Sequence, residues 1–515
     1  MREWLEAVAR HAARTPERTA YRFRETALTY GELWEQSGRL AAGLLEARLP
    51  PGRPVALWGG KGPRMAQAMV GRLRAGVCYL PLESSYPPLR QEQILKSARP
   101  ALVLALEPCP GLELPCWAPQ DWESRPAGLI RPPQPQPDAP AYLLYTSGST
   151  GIPKGVLVSR RNLGAFCRWA QALLFDSPRD REGQPVVLNQ APFSFDLSVL
   201  GFYPALGAGA QVFDLPRQWT GDFPALFEGL ERSGATHWVS TPSFAALCLG
   251  DPAFSSGLLP GLRQFFFCGE TLPPKVAEQL FHRFPQVRIR NSYGPTEATV
   301  AVTAAEIFPR QCRSGEALPV GRVRPGCQVY LLDGLHKPVE TGSVGEIFIT
   351  GGSVALGYCD DPERTAHRFP TLSPEGTPAR GYLTGDLGHF CGDQLYFDGR
   401  ADSQIKHRGN RVELGDIEQN LLALEAVRQA VVLPPKTEQG PIRAFVTLTR
   451  GARETPASLR RRLGERLPSY LIPGRIAVLE EIPLNANGKA DRVKLKEQQD
   501  GREDFGPAGP GHRNR

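Results

Sequence analysis

The chain has 515 residues, too many for one compact core, so two or more domains are expected. Its 53 glycines and 50 prolines make it loop-rich, yet the composition stays short of a disordered chain. The formal charge of +7 comes without a basic cluster interleaved with aromatics, which speaks against nucleic-acid binding and leaves a mild preference for an acidic protein partner.

The first 23 residues carry no signal-peptide apolar core. Trp4, Leu5 and Val8 are spaced for a short amphipathic helix that ends before Pro16. Apolar β-rich runs then alternate with helical stretches at 54–58, 64–73, 77–82, 89–97 and 101–106. That alternation predicts βαβ units on a parallel sheet. Residues 108–140, with RPPQPQPDAP, read as an irregular surface connection. Buried strands are expected at 186–189, 211–213 and 237–240, and short strands with glycine turns from 320 to 357 predict a barrel-like β segment. After about residue 400 the pattern becomes a small α/β unit, and the polar tail 497–515 reads as disordered. No run approaches the roughly 18 apolar residues of a membrane span. The ten cysteines include no CxxC pair, so zinc is not expected and a soluble cytoplasmic protein with free thiols is. Cys109 and Cys116 share one loop-like stretch.

Residues 145–155 read YTSGSTGIPKG. Glycines let such a loop bend tightly and bring backbone N–H groups to an anion, while hydroxyls and Lys154 add donors and a cation. It suits nucleotide phosphates. A flexible surface turn is the plainer reading of the loop alone. It is not a Walker loop, because Lys154 stands between Pro153 and Gly155 and residues 156–158 look like a strand.

The loop resembles the phosphate loop of the adenylate-forming superfamily, which includes acyl-CoA synthetases, luciferases and the amino-acid adenylation domains of peptide synthetases. The same resemblance is carried, in order, by LTYGELW (28–34), RAGVCYLPLESSYPPLR (74–90), NSYGPTEAT (291–299), GEIFITGGSVALGY (345–358), YLTGDLG (382–388), GRADSQIKHRGNRVELGDIE (399–418) and NANGKADR (485–492). It implies an α/β fold: a large domain, 1–398, of βαβ-type subdomains plus a distorted β-barrel, and a small mobile α/β domain, 399–496. It also implies a two-step reaction. A carboxylate attacks the α-phosphate of ATP, and a thiol then takes the acyl group. Such a site needs cations and oriented donors more than a base.

Site residues follow from the motifs. Thr146, Ser147, Gly148, Ser149, Thr150 and Lys154 would hold the outgoing pyrophosphate. Glu297 offers a hard oxygen ligand to Mg²⁺. Tyr293 offers a flat face to adenine and Asn291 a donor and an acceptor, with Ser292, Gly294, Pro295 and Thr296 in the same nucleotide segment. Asp386 matches the family's ribose-binding acid, and Phe397, Asp398, Gly399 and Arg400 complete that side. Lys489 matches the lysine that reaches the substrate carboxylate and α-phosphate, so the small domain must deliver it. Asp402 falls at the family's hinge, and Gly409 with its neighbours would line the path of the thiol. Arg160 stands where many members have histidine. For each residue outside such a motif, the plain alternative is a solvated or core side chain.

The acid is read from QAPFSFDLSVLGFYP (190–204). Peptide-synthetase-like members have FD here, and the aspartate binds an α-ammonium; Asp196 fits. A fatty-acid activator has no use for a buried anion. The strings QAPFSFDLSV, STPSFAALCL, FFFCGETLPP and YGPTEATVAVT look like those of D-alanine–carrier-protein ligases of the lipoteichoic-acid pathway. In that resemblance Cys268 and Val300 line the side-chain pocket, and Leu197 walls it for a small substrate. PLESSYPPLR matches peptide-synthetase domains better, so an adenylation enzyme for another small amino acid stays open. A nucleotide-binding regulator without catalysis is the reading from outside enzymes. The implied partner is an acidic phosphopantetheinylated carrier protein.

Overall fold

The computed structural model describes residues 1–109, 111, 113–126, 136–148, 152–313, 315–401, 404–436, 440–483, 490–492 and 494–496. The chain forms two compact units. One contains Met1–Tyr86, Gln91–Thr146 and Pro153–Arg411; the other contains Pro87–Arg90, Ser147–Ile152 and Val412–Arg515.

The larger unit holds two mixed sheets built on the predicted βαβ rhythm. In one, strand Val55–Trp58 runs parallel to Tyr79–Leu82 and to Leu102–Ala105, and the sheet continues from Tyr79–Leu82 through Pro140–Thr146 and Lys154–Ser159 to Gly357–Tyr358. The buried four-residue strands are apolar on both faces, as a sheet covered on both sides requires. Helix Pro63–Ala75 links the first two strands and ends at Gly76, whose φ of 77° places it in the left-handed cap.

The other sheet has nine strands. Its middle is parallel: Gln211–Asp214, Val186–Asn189, His237–Ser240, Gln264–Phe267 and Arg288–Tyr293. The early strand Thr19–Phe23 joins it beside Gln211–Asp214. Motif LTYGELW is a helix start: Thr29 Oγ1 accepts from Glu32 N at 3.2 Å, and the Glu32 carboxylate accepts from Thr29 N at 2.8 Å, opening helix Tyr30–Glu46. Ser159 and Asn162 make the same reciprocal cap for helix Arg160–Leu174, directly after the strand that follows the phosphate loop. Helix Leu197–Ala208 is buried all round, so its residues show no amphipathic period.

The barrel-like segment is a five-stranded antiparallel sheet of Cys327–Leu332, Gly345–Gly351, Ala379–Cys391, Thr371–Leu372 and Gln394–Arg400. It extends further along the chain than the glycine turns indicate. The smaller unit contains strands Val427–Leu433, Arg443–Leu448 and Arg475–Leu479 in one sheet, with helices Leu414–Leu422 and Pro456–Gly464. The predicted tail 497–515 lies outside the described residues.

Candidate active site

A buried lysine ties the two sheets of the larger unit together. Lys61, just after strand Val55–Trp58, places Nζ 2.7 Å from Asp214 Oδ1 and donates to the carbonyls of Asn189, Gln190 and Leu215 at 2.9–3.1 Å. Asp214 also accepts from Asn189 Nδ2 at 2.7 Å and from Tyr21 Oη at 2.6 Å. Three donors around one buried carboxylate satisfy the charge that burial would otherwise penalise. The lysine thereby fixes the start of the 190–196 segment. Glu83, also buried, accepts from both the hydroxyl and the N–H of Ser194 in that segment. Burial pushes the Glu83 carboxyl up to about 7 against the pull of Lys61 and Arg217.

This scaffold sets Asp196 at the start of helix Leu197–Ala208. Asp196 is 7% exposed and accepts from Thr296 Oγ1 at 2.7 Å. Among the described residues no cation sits within ion-pair distance of it. Burial raises its pKa to about 6, only partly offset by the Thr296 hydrogen bond. Cys268 and Val300, 32 positions apart in the sequence, meet: Cys268 Sγ lies 3.7 Å from the Val300 carbonyl. Ser292, next to Asn291, donates to the Phe267 carbonyl at 2.8 Å and also contacts Cys268. Thr299 and Val300 have φ of 57° and 68°, a strained choice for β-branched residues, and the turn is held by the Thr299 hydroxyl on the Ser353 carbonyl at 2.7 Å. Gly294 is needed where it stands, because a Cβ there would lie 2.5 Å from Ala301 Cα.

The nucleotide segment converges on one acid. Tyr293 Oη donates to Asp386 Oδ2 at 2.5 Å, and Arg400 bonds the other oxygen, opposite Asp386 in the sheet register. The Tyr293 and Phe397 rings lie 6.0 Å apart, with Lys406 Nζ about equally near both, at 5.5 and 5.6 Å. Asn291 Nδ2 donates to the Pro319 carbonyl at 2.9 Å, while Asn291 Oδ1 is buried without a partner. The hydroxyl of Thr146, in the phosphate loop, is buried and unpartnered as well. Asp398 is turned elsewhere, onto His389 Nδ1 at 2.6 Å, and Gly399 adopts a φ of 113° between the two outcomes.

Glu297 is fully buried. Burial alone would lift its pKa, yet Arg411, Lys154 and the Tyr358 hydroxyl hold the carboxyl well below its usual range. Lys154 Nζ is 3.3 Å from Oε1, Tyr358 Oη donates to Oε1 at 2.8 Å, and Arg411 pairs with Oε2. Gly409 donates its N–H to Glu270 and packs on Thr241. Arg160 is buried and donates to the Leu73 carbonyl at 3.1 Å. Ser147 and Gly148 belong to the smaller unit, where Ser147 Oγ accepts from Glu413 N at 3.2 Å. Ser149, Thr150, Asp402 and Lys489 lie outside the described residues.

The sequence reading missed Lys61, Glu83, Tyr358, Lys406 and Arg411 as site residues. All but Lys61 lie inside motif strings already recognised, and their neighbours in those strings were the available signal. All ten cysteines are free thiols. No group of three metal-ligating side chains occurs among the described residues, and no described helix is long and apolar enough to cross a membrane.

The AMP-binding enzyme family profile matches residues 8–359, and the AMP-binding enzyme C-terminal domain profile matches residues 416–489. A D-alanine–D-alanyl carrier protein ligase of Bacillus licheniformis is 39% identical over 96% of this chain and 99% of its own length. One of Bacillus cereus is 36% identical over 95% and 98%. Among solved structures, the fold is similar to holo-PA1221, an NRPS protein containing adenylation and PCP domains, with a TM-score of 0.82 at 25% identity over 96% of this chain and 84% of that one. It is also similar to IdnL1, with a TM-score of 0.78 at 30% identity over 93% and 98%. With the phosphate-loop hydroxyl, the Asn291 acceptor and the Tyr293–Asp386–Arg400 cluster in place beside these matches, the chain belongs to the AMP-binding enzyme family.

Proposed function

We propose that the chain is an ATP-dependent, AMP-forming ligase that activates D-alanine and passes it to the thiol of a carrier protein. One observation carries the amino-acid part: a buried carboxylate, Asp196, with a neutral hydrogen-bond donor and, among the described residues, no cation within ion-pair distance. An α-ammonium supplies the missing charge, and its arrival draws the Asp196 pKa back down. Cys268 and Val300, held against each other, would form the wall that admits a small side chain. The relatives named as D-alanine–D-alanyl carrier protein ligases support the choice of acid and partner.

In the first step a carboxylate oxygen of D-alanine bonds to the α-phosphorus of ATP, and pyrophosphate leaves. Asn291 Oδ1 is the free acceptor for the exocyclic amine of adenine, Tyr293 flanks the base, and Asp386, paired with Arg400, accepts from ribose hydroxyls. Thr146 and Lys154 face the phosphates, and Lys489 bridges carboxylate and α-phosphate. Glu297 is the residue that would hold Mg²⁺. Its low pKa keeps it anionic, and Mg²⁺ commonly takes one or two carboxylates plus substrate phosphates. When bound, the ion neutralises phosphate charge. In the second step the carrier thiolate attacks the acyl carbonyl and AMP leaves.

The test is amino-acid-dependent ATP–pyrophosphate exchange over D-alanine, L-alanine, glycine and larger amino acids, followed by loading of a phosphopantetheinylated carrier. D-Alanine is expected to lead L-alanine by one or two decades, because a methyl-sized mismatch is worth about 1–3 kcal/mol. A preference for L-alanine or for a large side chain overturns the D-alanine assignment. No exchange with any amino acid overturns the enzyme reading.

A further inference from the structure

Two thiols meet at one edge of the first sheet. Cys116 opens the two-residue strand Cys116–Trp117, which runs parallel to Leu102–Ala105 and is the last strand on that side. Val103 N donates to the Pro115 carbonyl at 2.9 Å, and the Ala105 N–H donates to the Cys116 sulfur. Cys109 packs against the apolar cluster that contains Trp58, Leu80 and Val103. From there its thiol donates a hydrogen bond to the Cys116 sulfur. Backbone pairing holds one sulfur and apolar packing the other, so their contact is a product of the fold. The sequence between them, PGLELP, carries two prolines, which reduce the conformations lost when so short a segment holds its ends together.

The two thiols are unequal. Cys116 is exposed and Cys109 half-buried. Burial, and then the charge and hydrogen bond of its neighbour, push the Cys109 thiol up to about 11. Partial burial raises Cys116 as well, and Asp121 adds to that, but the hydrogen bonds from Ala105 and Cys109 pull the other way. The sulfur open to solvent is therefore also the one better able to carry the negative charge. Thiolate character and access together decide which thiol attacks a disulfide.

We propose that Cys109 and Cys116 form a thiol-oxidation site for low-molecular-weight disulfides, with Cys116 attacking and Cys109 resolving. In the first step Cys116 gives up its proton and its sulfur attacks one sulfur of the small disulfide. The S–S bond of that molecule breaks, and one small thiolate leaves and takes a proton. In the second step Cys109 gives up its proton and attacks the Cys116 sulfur, expelling the second small thiolate, which is protonated in turn. Two protein thiols are oxidised to one internal disulfide, and one small disulfide is reduced to two thiols. An exposed thiol that would otherwise keep a bulky adduct is thus cleared by its neighbour, and the product ties the sheet edge to the segment before it.

The probe is glutathione disulfide, incubated with the reduced full chain, after which remaining free thiols are alkylated. Cleavage at Glu113 lies between the two cysteines. In wild type the two halves should stay joined until dithiothreitol is added, with Cys109 and Cys116 both protected from alkylation. Cys109→Ser should accumulate glutathione on Cys116 to at least ten times the wild-type level. In Cys116→Ser, Cys109 should take up glutathione at least tenfold more slowly than Cys116 does in Cys109→Ser. Halves that separate without dithiothreitol, or a link from either sulfur to a different cysteine, overturn the site, and this result needs no variant. Glutathione persisting on Cys116 equally in wild type and Cys109→Ser overturns the resolving role. Uptake by Cys109 as fast as by Cys116 overturns the order of attack.

Discussion

Replacing Asp196 by asparagine should make the protein more stable and nearly useless. The carboxyl titrates at about 6 when folded, against about 3.9 for an unfolded aspartate. The sign follows from the acid: its ionised form is the one burial disfavours, so the folded state holds the proton more tightly than the unfolded state does. Ionisation therefore costs nothing below about pH 4, costs more as pH rises towards 6, and costs a constant amount above it. Two pKa units correspond to about 3 kcal/mol at pH 7 in the substrate-free protein. Asparagine keeps an oxygen for the Thr296 hydroxyl and drops the charge. For a unit of roughly 400 residues the unfolding entropy converts 3 kcal/mol into a rise of roughly 3–4 °C in melting temperature. The same change removes the ammonium's partner, worth about 2–5 kcal/mol, so exchange with D-alanine should fall by roughly 30- to several-thousand-fold. The assay pairs thermal melts at pH 4 and pH 7 with ATP–pyrophosphate exchange. The stability gain should be present at pH 7 and absent at pH 4. A variant that melts lower than wild type at pH 7, or that keeps wild-type kcat/KM, refutes the reasoning.

Lys489→Ala should slow adenylate formation by about two decades, the effect of losing roughly 3 kcal/mol of transition-state stabilisation, while transfer from a preformed adenylate suffers less; equal damage to both steps removes the assignment. Cys268→Ala should raise activity with L-alanine more than with D-alanine, because the thiol lies against Val300; parallel changes for the two enantiomers show that it is not the discriminating wall. Glu83 titrates at about 7 and holds Ser194, so kcat/KM for the amino acid should inflect near pH 7 and lose that inflection in Glu83→Gln; an unchanged profile places the titrating group elsewhere. Gly294→Ala must drive a methyl into the backbone at Ala301 and Val300, so KM for the amino acid should rise at least tenfold, and a wild-type KM contradicts the close approach.

What the sequence discloses about this site is what sits in contiguous strings. Tyr293, Asp386, Phe397 and Arg400 can each be read from short motifs, and the sheet register then brings them together although Tyr293 and Asp386 are 93 positions apart. Asp398, one residue from Gly399, could not be separated from them, because only the strand's alternation and the glycine's φ decide which side chain turns towards His389. The Lys61–Asp214 pair leaves no trace in composition or period, since a buried ion pair across 153 positions is a property of the assembled sheets. Helix Leu197–Ala208 is likewise silent to periodicity, being apolar on every face. The left-handed turn at Thr299 and Val300 runs against the preference of both residue types, and only tertiary contacts hold it.

The placement of strand Thr19–Phe23 beside Gln211–Asp214 bears on how the chain is made. That strand emerges from the ribosome early, but its parallel partner follows about 190 residues later, an interval of roughly 10–40 s at ordinary elongation rates. Until then Tyr21 has no Asp214 to receive its hydroxyl proton, and the apolar side of the strand has no neighbour on that edge. Slower translation upstream of residue 214 lengthens this waiting period and fast translation shortens it. Synonymous codon changes there should alter the soluble yield of the protein without altering a single contact in its finished structure.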